Sequence, residues 1–594
     1  MEALGYTSQR VGRKSHRQLK AAGKKSQYQE LGNSMALEEE EGSGALGQAS
    51  MGRTDATRVL AAFLQVFASM SSSEPLFQSA ILKKVFYGLL VKPHNQVQLL
   101  SLRCLYLWKP LDVLPYKDHL ENLIDDEKYR DEITFFSLDE ELGQVQEAHR
   151  PGLIPVVSRI LYAKLVQRKV SGAKTSLSQR RATVLAFFGG AKEEEFDELV
   201  SIVFRPFLGL SGDADALEKN AAVLASLDSK KLLGFLNTLK DLVDQVGHLL
   251  VRHLPRITST LLALVAHVFA SGSSACDTEE GDAITGDADD EPASRSGDLR
   301  EKLLKKLRGL CLRRVTDLVT KFKTSDLSGF IPRLLDTLMP RVRRLPIENT
   351  QSPVGLLETF HEMANNVNLA AYLFTRSDLL PSIFACMSAP NAAFLVRQAA
   401  LEIAHVLVRE AQTLGLQEQM STHMSVLLDH VYKHLKMMVD KGGPQVASGG
   451  DIQLMIREVR LIRLQFNMLA ELSKYVPTPQ QAGQLLDLLI PFLGNRKKFG
   501  NVSASNETRR FVLQTCANLV KVVPDSSVYA PAAARQLLPV IPPDTRAAVC
   551  DWIVAIGKPL AKVAALVVDL NAMSSMRLDE YDFDKRLAAY SGVA

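Results

Sequence analysis

Between Leu379 and Glu410 the order of apolar and polar positions predicts two antiparallel helices shaped to stack on others of their kind. Leu379, Leu380, Ile383, Phe384 and Met387 give a short apolar face bent by Pro381, and Ser388-Ala389-Pro390-Asn391 supplies the turn. Val396, Ala400, Ile403 and Leu407 then follow at i, i+4, i+7 and i+11, which at ~100° per residue keeps them within about 40° of one direction. Arg397 and Arg409 fall off that stripe. A lone hairpin has nothing to cover such a stripe, so it requires stacked neighbours.

The same grammar recurs along the chain. Leu76 to Leu90 reads as a helix, Lys92 to Asn95 as a turn, and Val97, Leu100, Cys104 and Leu107 as the stripe of the next helix. Farther on, Leu485 to Leu493 precedes a polar loop and then Val512, Cys516, Leu519 and Val523 at the same offsets. Copies in series predict an all-α fold, an α-solenoid of irregular HEAT or armadillo-like hairpins. An ordinary multi-helix globular protein is the competing reading.

Composition changes this picture little. Of 594 residues, 46% are hydrophobic and only 7% aromatic, which suits closely packed aliphatic helices. The formal charge of +4 does not by itself mark a nucleic-acid binder. Cys104, Cys386, Cys516 and Cys550 lie in apolar helical patterns, Cys311 lies among arginines and Cys276 in a polar loop; no zinc or secreted-framework spacing occurs, so buried thiols are expected. The apolar run Leu261 to Ala270 is shorter than the ~20 residues of a membrane span, and Trp552 to Leu570 carries Lys558 and Lys562 with an internal Pro559. Both read as core helices, and no membrane is expected as a partner.

Two segments are different in kind. Residues 1–55 hold Arg10, Arg13, Lys14, Arg17, Lys20, Lys24 and Lys25, then the acidic run Glu38 to Glu41, and read as a disordered tail. A nuclear or nucleolar address, an RNA-tethering arm, a plain solvated tail and a mitochondrial transit peptide all remain open for it. Residues 271–298 are rich in Ser, Gly, Asp and Glu and read as a solvated acidic loop. The resulting division is a tail at 1–55, helical repeats at 56–270 and 299–568 around that loop, and a charged connector at 569–594.

Catalytic signatures are missing: there is no GxSxG, HExxH or kinase set, and no glycine-rich dinucleotide loop. No enzyme activity, cofactor or small-molecule substrate is expected. His423, His430 and His434 share a helical face, yet one rigid helix cannot wrap three ligands spread over eleven positions around a tetrahedral ion, so a zinc site is rejected.

Basic clusters remain as the candidate contacts. Arg313 and Arg314 lie with Lys305, Lys306 and Arg308 on one helical segment, Arg341, Arg343 and Arg344 follow Pro340, and Arg496, Lys497 and Lys498 sit in a loop. Arg457, Arg460 and Arg463 flank and oppose an apolar face formed by Met455, Val459, Ile462, Phe466 and Leu469. Exposed cations of this kind suit phosphate or an acidic protein surface without sequence preference; a merely solvated face is the plainer reading of any single cluster.

Two nonrepeating motifs carry a resemblance. Arg150 to Tyr162 (RPGLIPVVSRILY) with Arg180 to Leu185 (RRATVL), and Leu570 to Met573 with Arg577 to Leu587 (RLDEYDFDKRL), are similar to the middle and to another characteristic segment of the large HEAT-repeat component of the small-subunit processome, the "down-regulated in metastasis" family. The likeness covers most of Arg58 to Tyr590, and residues 1–55 show nothing familial. It implies a nucleolar, noncatalytic scaffold that wraps pre-rRNA and other processome proteins in a particle containing small nucleolar RNA. A full member is far longer, so the chain reads as an internal fragment or incomplete gene model. A HEAT-repeat adaptor, such as a nuclear transport receptor or phosphatase scaffold, is the alternative.

Read physically, Leu153, Val156, Val157, Ile160 and Leu161 form a wide apolar face, with Arg159 and Lys164 outside it. Arg159, Arg180 and Arg181 either anchor a partner or, more plainly, pair with acids of neighbouring repeats such as Glu193 to Glu195.

Overall fold

The computed structural model describes residues 53–593 apart from 75, 168–176, 211–216, 271–293, 348–354, 441–451, 477, 495–505, 537–542, 558–560, 575 and 577–579. Among these residues the fold is all-α; the extended pairing present is an isolated antiparallel bridge between Met573 and Tyr581. The chain forms two compact units, Met1–Val203 and Phe204–Ala594.

The first unit contains α1 (Arg53–Ala68), α2 (Ser79–Leu89), α3 (Asn95–Leu105), α4 (Lys117–Ile124), α5 (Tyr129–Phe135), α6 (Arg150–Val166), α7 (Leu177–Phe188) and α8 (Glu193–Val203). The expected stripe is buried at Val97, Cys104 and Leu107. Helix α3 packs on both α1 and α2, and α6 on α4, α7 and α8. Burying α6 on so many sides fixes its composition: Leu153, Val156, Val157, Ile160, Leu161 and Leu165 are each at most 1% exposed.

The second unit runs α9 (Leu217–Ala225), α10 (Ser229–Val246), α11 (Leu254–Ala270), α12 (Ser294–Lys321), α13 (Ile331–Val342), α14 (Gly355–Ala364), α15 (Leu379–Ser388), α16 (Phe394–Glu410), α17 (Gln417–Asp440), α18 (Ile452–Leu472), α19 (Pro479–Gly494), α20 (Asn506–Val520), α21 (Ala530–Arg535), α22 (Pro543–Ile556), α23 (Ala561–Leu570) and α24 (Phe583–Val593). Its packing alternates. Even-numbered helices from α10 to α22 each touch the next even-numbered one, and odd-numbered helices from α9 to α19 do likewise, giving two rows laid against each other. This is the repeat stacking the periodicity predicts, since each hairpin covers the stripe of its neighbour.

The hairpin α15–α16 follows its sequence reading closely. Leu379, Leu380, Ile383, Phe384, Ala400 and Ile403 are fully buried, and Val396 and Leu407 nearly so. After α16 the chain turns through Gly415 at φ 66°; the Leu416 N–H reaches Ala411 O at 2.8 Å and the Gly415 N–H reaches Gln412 O at 3.2 Å, a Schellman closure that needs a residue without Cβ strain. Arg397 leaves the stripe but folds back, donating from Nη2 to Ala389 O at 3.0 Å and Pro390 O at 3.2 Å, so it satisfies carbonyls just past the end of α15.

Three local readings shift. Helix α2 begins at Ser79, three residues after Leu76, and Val523 lies beyond the end of α20. Helix α12 begins at Ser294, inside the segment read as acidic loop, because the helix-favouring run from Leu299 propagates back across Ser294 to Asp298. The helical stretch Ser229–Ala270 has the length and hydropathy of a membrane span, but it is two helices joined by a 3₁₀ turn, and Ile257, Leu261, Leu264, Val265 and Val268 are core residues of the second unit.

Candidate nucleic-acid interface

Helix α18 separates its residues as its period dictates. Val459, Ile462, Phe466 and Leu469 are buried, while Arg460 is exposed opposite them and Arg463 is exposed at the flank of that face. Arg457 lies one turn before Arg460 in the same helix. On α12, Lys302, Lys306 and Arg313 are exposed and Lys305 is half-buried. Arg308 is half-buried and donates to Val268 O at 3.2 Å.

Arg314 departs from the sequence reading. It is 4% exposed, pairs with Asp317 at 3.0 Å and reaches Leu236 O on α10 at 3.5 Å. One residue is ~100° of helix, so Arg313 faces solvent while its neighbour points into the row contact with α10. Burial pulls the guanidinium of Arg314 down and pushes the carboxyl of Asp317 up, each opposed by the charge of the other. Arg314 is thus a packing cation rather than a surface contact.

The 341–344 cluster is also divided. Arg341 is half-buried in the last turn of α13, where a cation complements the helix dipole. Arg343 is exposed but engaged with Asp378, with Nη2 at 2.8 Å and Nε at 3.1 Å from one carboxylate oxygen. Arg376 holds Asp336 in the same way at 2.6 and 2.8 Å. These four side chains with Met339, Pro340 and Ser377 line an open cleft of about 300 Å³. The Ser377 hydroxyl and Arg343 keep the Asp378 carboxyl below its ordinary value. Arg344 is exposed. Arg496, Lys497 and Lys498 lie outside the described residues.

The three histidines of α17 go separate ways. His434 is buried with Nδ1 2.6 Å from Gln465 Nε2, His430 Nδ1 is 2.8 Å from Ser388 Oγ, and the His423 ring lies beside Phe374. Burial holds His423 and His430 below the usual imidazole value. Among the described residues no group of three His, Cys, Asp or Glu side chains is placed to hold a metal. Cys104, Cys311, Cys386, Cys516 and Cys550 are buried and in no disulfide, and burial pushes the Cys104 and Cys311 thiols up to about 12.

The family described as "U3 small nucleolar RNA-associated protein 20, N-terminal" matches residues 54–594. The chain belongs to this family. Two curated relatives bear the name U3 small nucleolar RNA-associated protein 20. The one from Schizosaccharomyces pombe is 24% identical over 535 residues, covering 86% of this chain and 20% of that protein. The one from Saccharomyces cerevisiae is 21% identical over 553 residues, covering 89% of this chain and 20% of that protein. The chain therefore spans about one fifth of the length of the relatives it matches.

The two motifs that suggested the family are structural in their first unit and last helices. Arg150 is 3% exposed; its Nη2 donates to Glu195 Oε2 at 2.7 Å and its Nη1 to Leu138 O at 2.9 Å. Gly152 lies against Asp112, whose carboxylate fills the space a Cβ would need. Arg159 pairs with Glu198 at 2.7 Å and lies over the Tyr87 ring, which is the acid-pairing reading, with the acid one turn beyond the expected run. Arg180 and Arg181 cap the end of α6 by donating to Gln167 O and Leu165 O.

Lys164 corrects the sequence reading outright: it is 1% exposed, not outside the apolar face. Its Nζ donates at 2.6 Å to both Asp126 Oδ1 and Ile124 O, over the Tyr129 ring. Lys164 follows Leu153, Val157 and Ile160 at i, i+4, i+7 and i+11, so it lies within the stripe itself, and its four-carbon stem carries the ammonium through the packed interface to these acceptors. In the second motif the Tyr581 ring meets two guanidiniums, with Arg586 4.1 Å and Arg546 5.0 Å from its centroid, and Arg546 Nη2 donates to its hydroxyl at 3.3 Å, which ties this segment onto α22.

Proposed function

We propose that this chain is a noncatalytic scaffold segment of the small-subunit processome, a nucleolar particle in which it braces pre-rRNA and other assembly factors during small-subunit rRNA processing. The observation that carries the reading is the family match across residues 54–594, with relatives named for association with U3 small nucleolar RNA. Two rows of stacked helices in the second unit support it, because they hold out a broad surface on rigid elements, as scaffolds require. Exposed Arg313, Arg344, Arg460 and Arg463, with Lys306, give that surface cations able to neutralise phosphates. On this reading the work is done by surface contact; neither cofactor, small-molecule substrate nor membrane takes part.

Affinity purification of the tagged protein followed by sequencing of crosslinked RNA tests the proposal, with depletion as its second arm. Pre-rRNA and the U3 particle should copurify, and depletion should accumulate unprocessed pre-rRNA and lower the small subunit selectively. Copurification of transport or phosphatase subunits with normal small-subunit rRNA would replace it with the HEAT-repeat adaptor.

A further inference from the structure

Helices α1 and α2 of the first unit are apolar on two sides. Ala61 and Leu64 of α1 and Phe86 of α2 are buried, and both helices rest on α3, whose Cys104 thiol reaches Leu64 O at 3.3 Å. Phe67 and Phe86, with ring centroids 5.7 Å apart, bring the two helices side by side. Val59, Phe63 and Val66 lie about 100–160° round α1 from Ala61 and Leu64, and Ile81 and Val85 about 100–140° round α2 from Phe86. All five are exposed, from 41% at Val59 to 65% at Val66. The two outer stripes therefore face the same way, away from α3. Phe77, at the entry to α2, is 84% exposed and is followed by Gln78 at φ 53°, a left-handed conformation that strains a residue with a Cβ.

We infer that this face pairs with the same face of a second copy of the chain about a twofold axis. What fits it is another layer of two helices with uncharged stripes, the kind of unit from which the stack is built, and α1–α2 of a second copy is such a layer. Charge permits the pairing. No charged residue occurs from Val59 to Val66, Arg58 is held by Asp55 at 2.6 Å, Lys83 lies over the Trp108 ring, and Lys84 stands at the flank of the α2 stripe. Area sets the strength. At 62% and 84% exposure, Phe63 and Phe77 alone leave roughly 200–350 Å² of ring in water, which approaches the largest apolar patch of a typical monomer before the aliphatic side chains are added. Two copies would cover, with the valines and Ile81, on the order of 1,000 Å² in all, the lower bound for a specific interface.

The test is sedimentation velocity of the full chain across about 1–100 μM, the range in which an interface this small associates. The sedimenting mass should rise from one copy to two and stop there, because a twofold contact closes on itself. Phe63→Glu with Ile81→Glu should weaken the pairing by about tenfold or more and leave thermal melting unchanged, since both side chains are already exposed. Leu587→Glu with Tyr590→Glu, on the exposed apolar side of α24, should leave the pairing unaltered. A single copy at every concentration, or pairing that the α1–α2 variant does not weaken, overturns the inference. Loss from the α24 variant, or growth beyond two copies, overturns the twofold contact in favour of a head-to-tail one. None of these results bears on the RNA-binding reading, which stands or falls separately.

Discussion

Helices α6 and α18 carry basic residues at similar density and put them to opposite uses. In α6, Arg150 and Lys164 are buried and each is engaged with a carboxylate and a backbone carbonyl, so their charge holds elements together. In α18, Arg460 and Arg463 are exposed, and polar contacts made at exposed sites add little to folding. The contrast shows that a cation's role follows from what surrounds the helix. Helix α6 is packed by α4, α7 and α8, whereas one side of α18 is left open.

Breaking the buried side of this comparison should have the largest effect. Arg150→Ala strands Glu195 and Leu138 O in the first unit and should cost about 3–5 kcal/mol, read from chemical denaturation. Replacing Arg150 and Glu195 together by Met should cost clearly less than Arg150→Ala, because no lone buried charge is left; equal losses would show that packing rather than charge carries the site. Ile403→Asp, at a fully buried position of α16, should cost at least ~2 kcal/mol, and a neutral result would mean that the stripe is misphased.

Lys164→Met should be milder, about 1–3 kcal/mol, since Asp126 retains 28% exposure and can recover water. A pH series sharpens the same point at Glu195. Burial alone would raise this carboxyl, but the Arg150 hydrogen bond, the Lys192 backbone N–H and both positive charges outweigh it and hold the group below its ordinary 4.5. Its contribution is therefore full above that value and is lost as the pH falls through the lowered one, so Glu195→Gln should flatten the acid limb of the first unit's stability. The smallest effect belongs to the exposed side: Arg460→Glu with Arg463→Glu should move stability by no more than about 0.5 kcal/mol per site while weakening RNA binding.

Much of the architecture was legible from periodicity, because a stripe at i, i+4, i+7 and i+11 can be covered only by another helix. Ile403, Val396 and Cys516 are buried where that stripe places them. The candidate interface was less legible. Arg313 and Arg314 are neighbours of identical chemistry, and only the α10 contact distinguishes the exposed one from the buried one. Arg343 looked like surface charge until Asp378, from the start of the next repeat, was placed beside it.

By itself, the sequence determined the all-α class, the hairpin unit, the apolar face of each helix and the family likeness. These depend on residues close together in the chain and on a 3.6-residue period that local sterics impose. Tertiary structure decided which cations are buried and which carboxylates and carbonyls meet them. Those outcomes depend on helices far apart in sequence, since a charge finds its partner across the packed interface and the helical period alone says nothing of what lies on the other side.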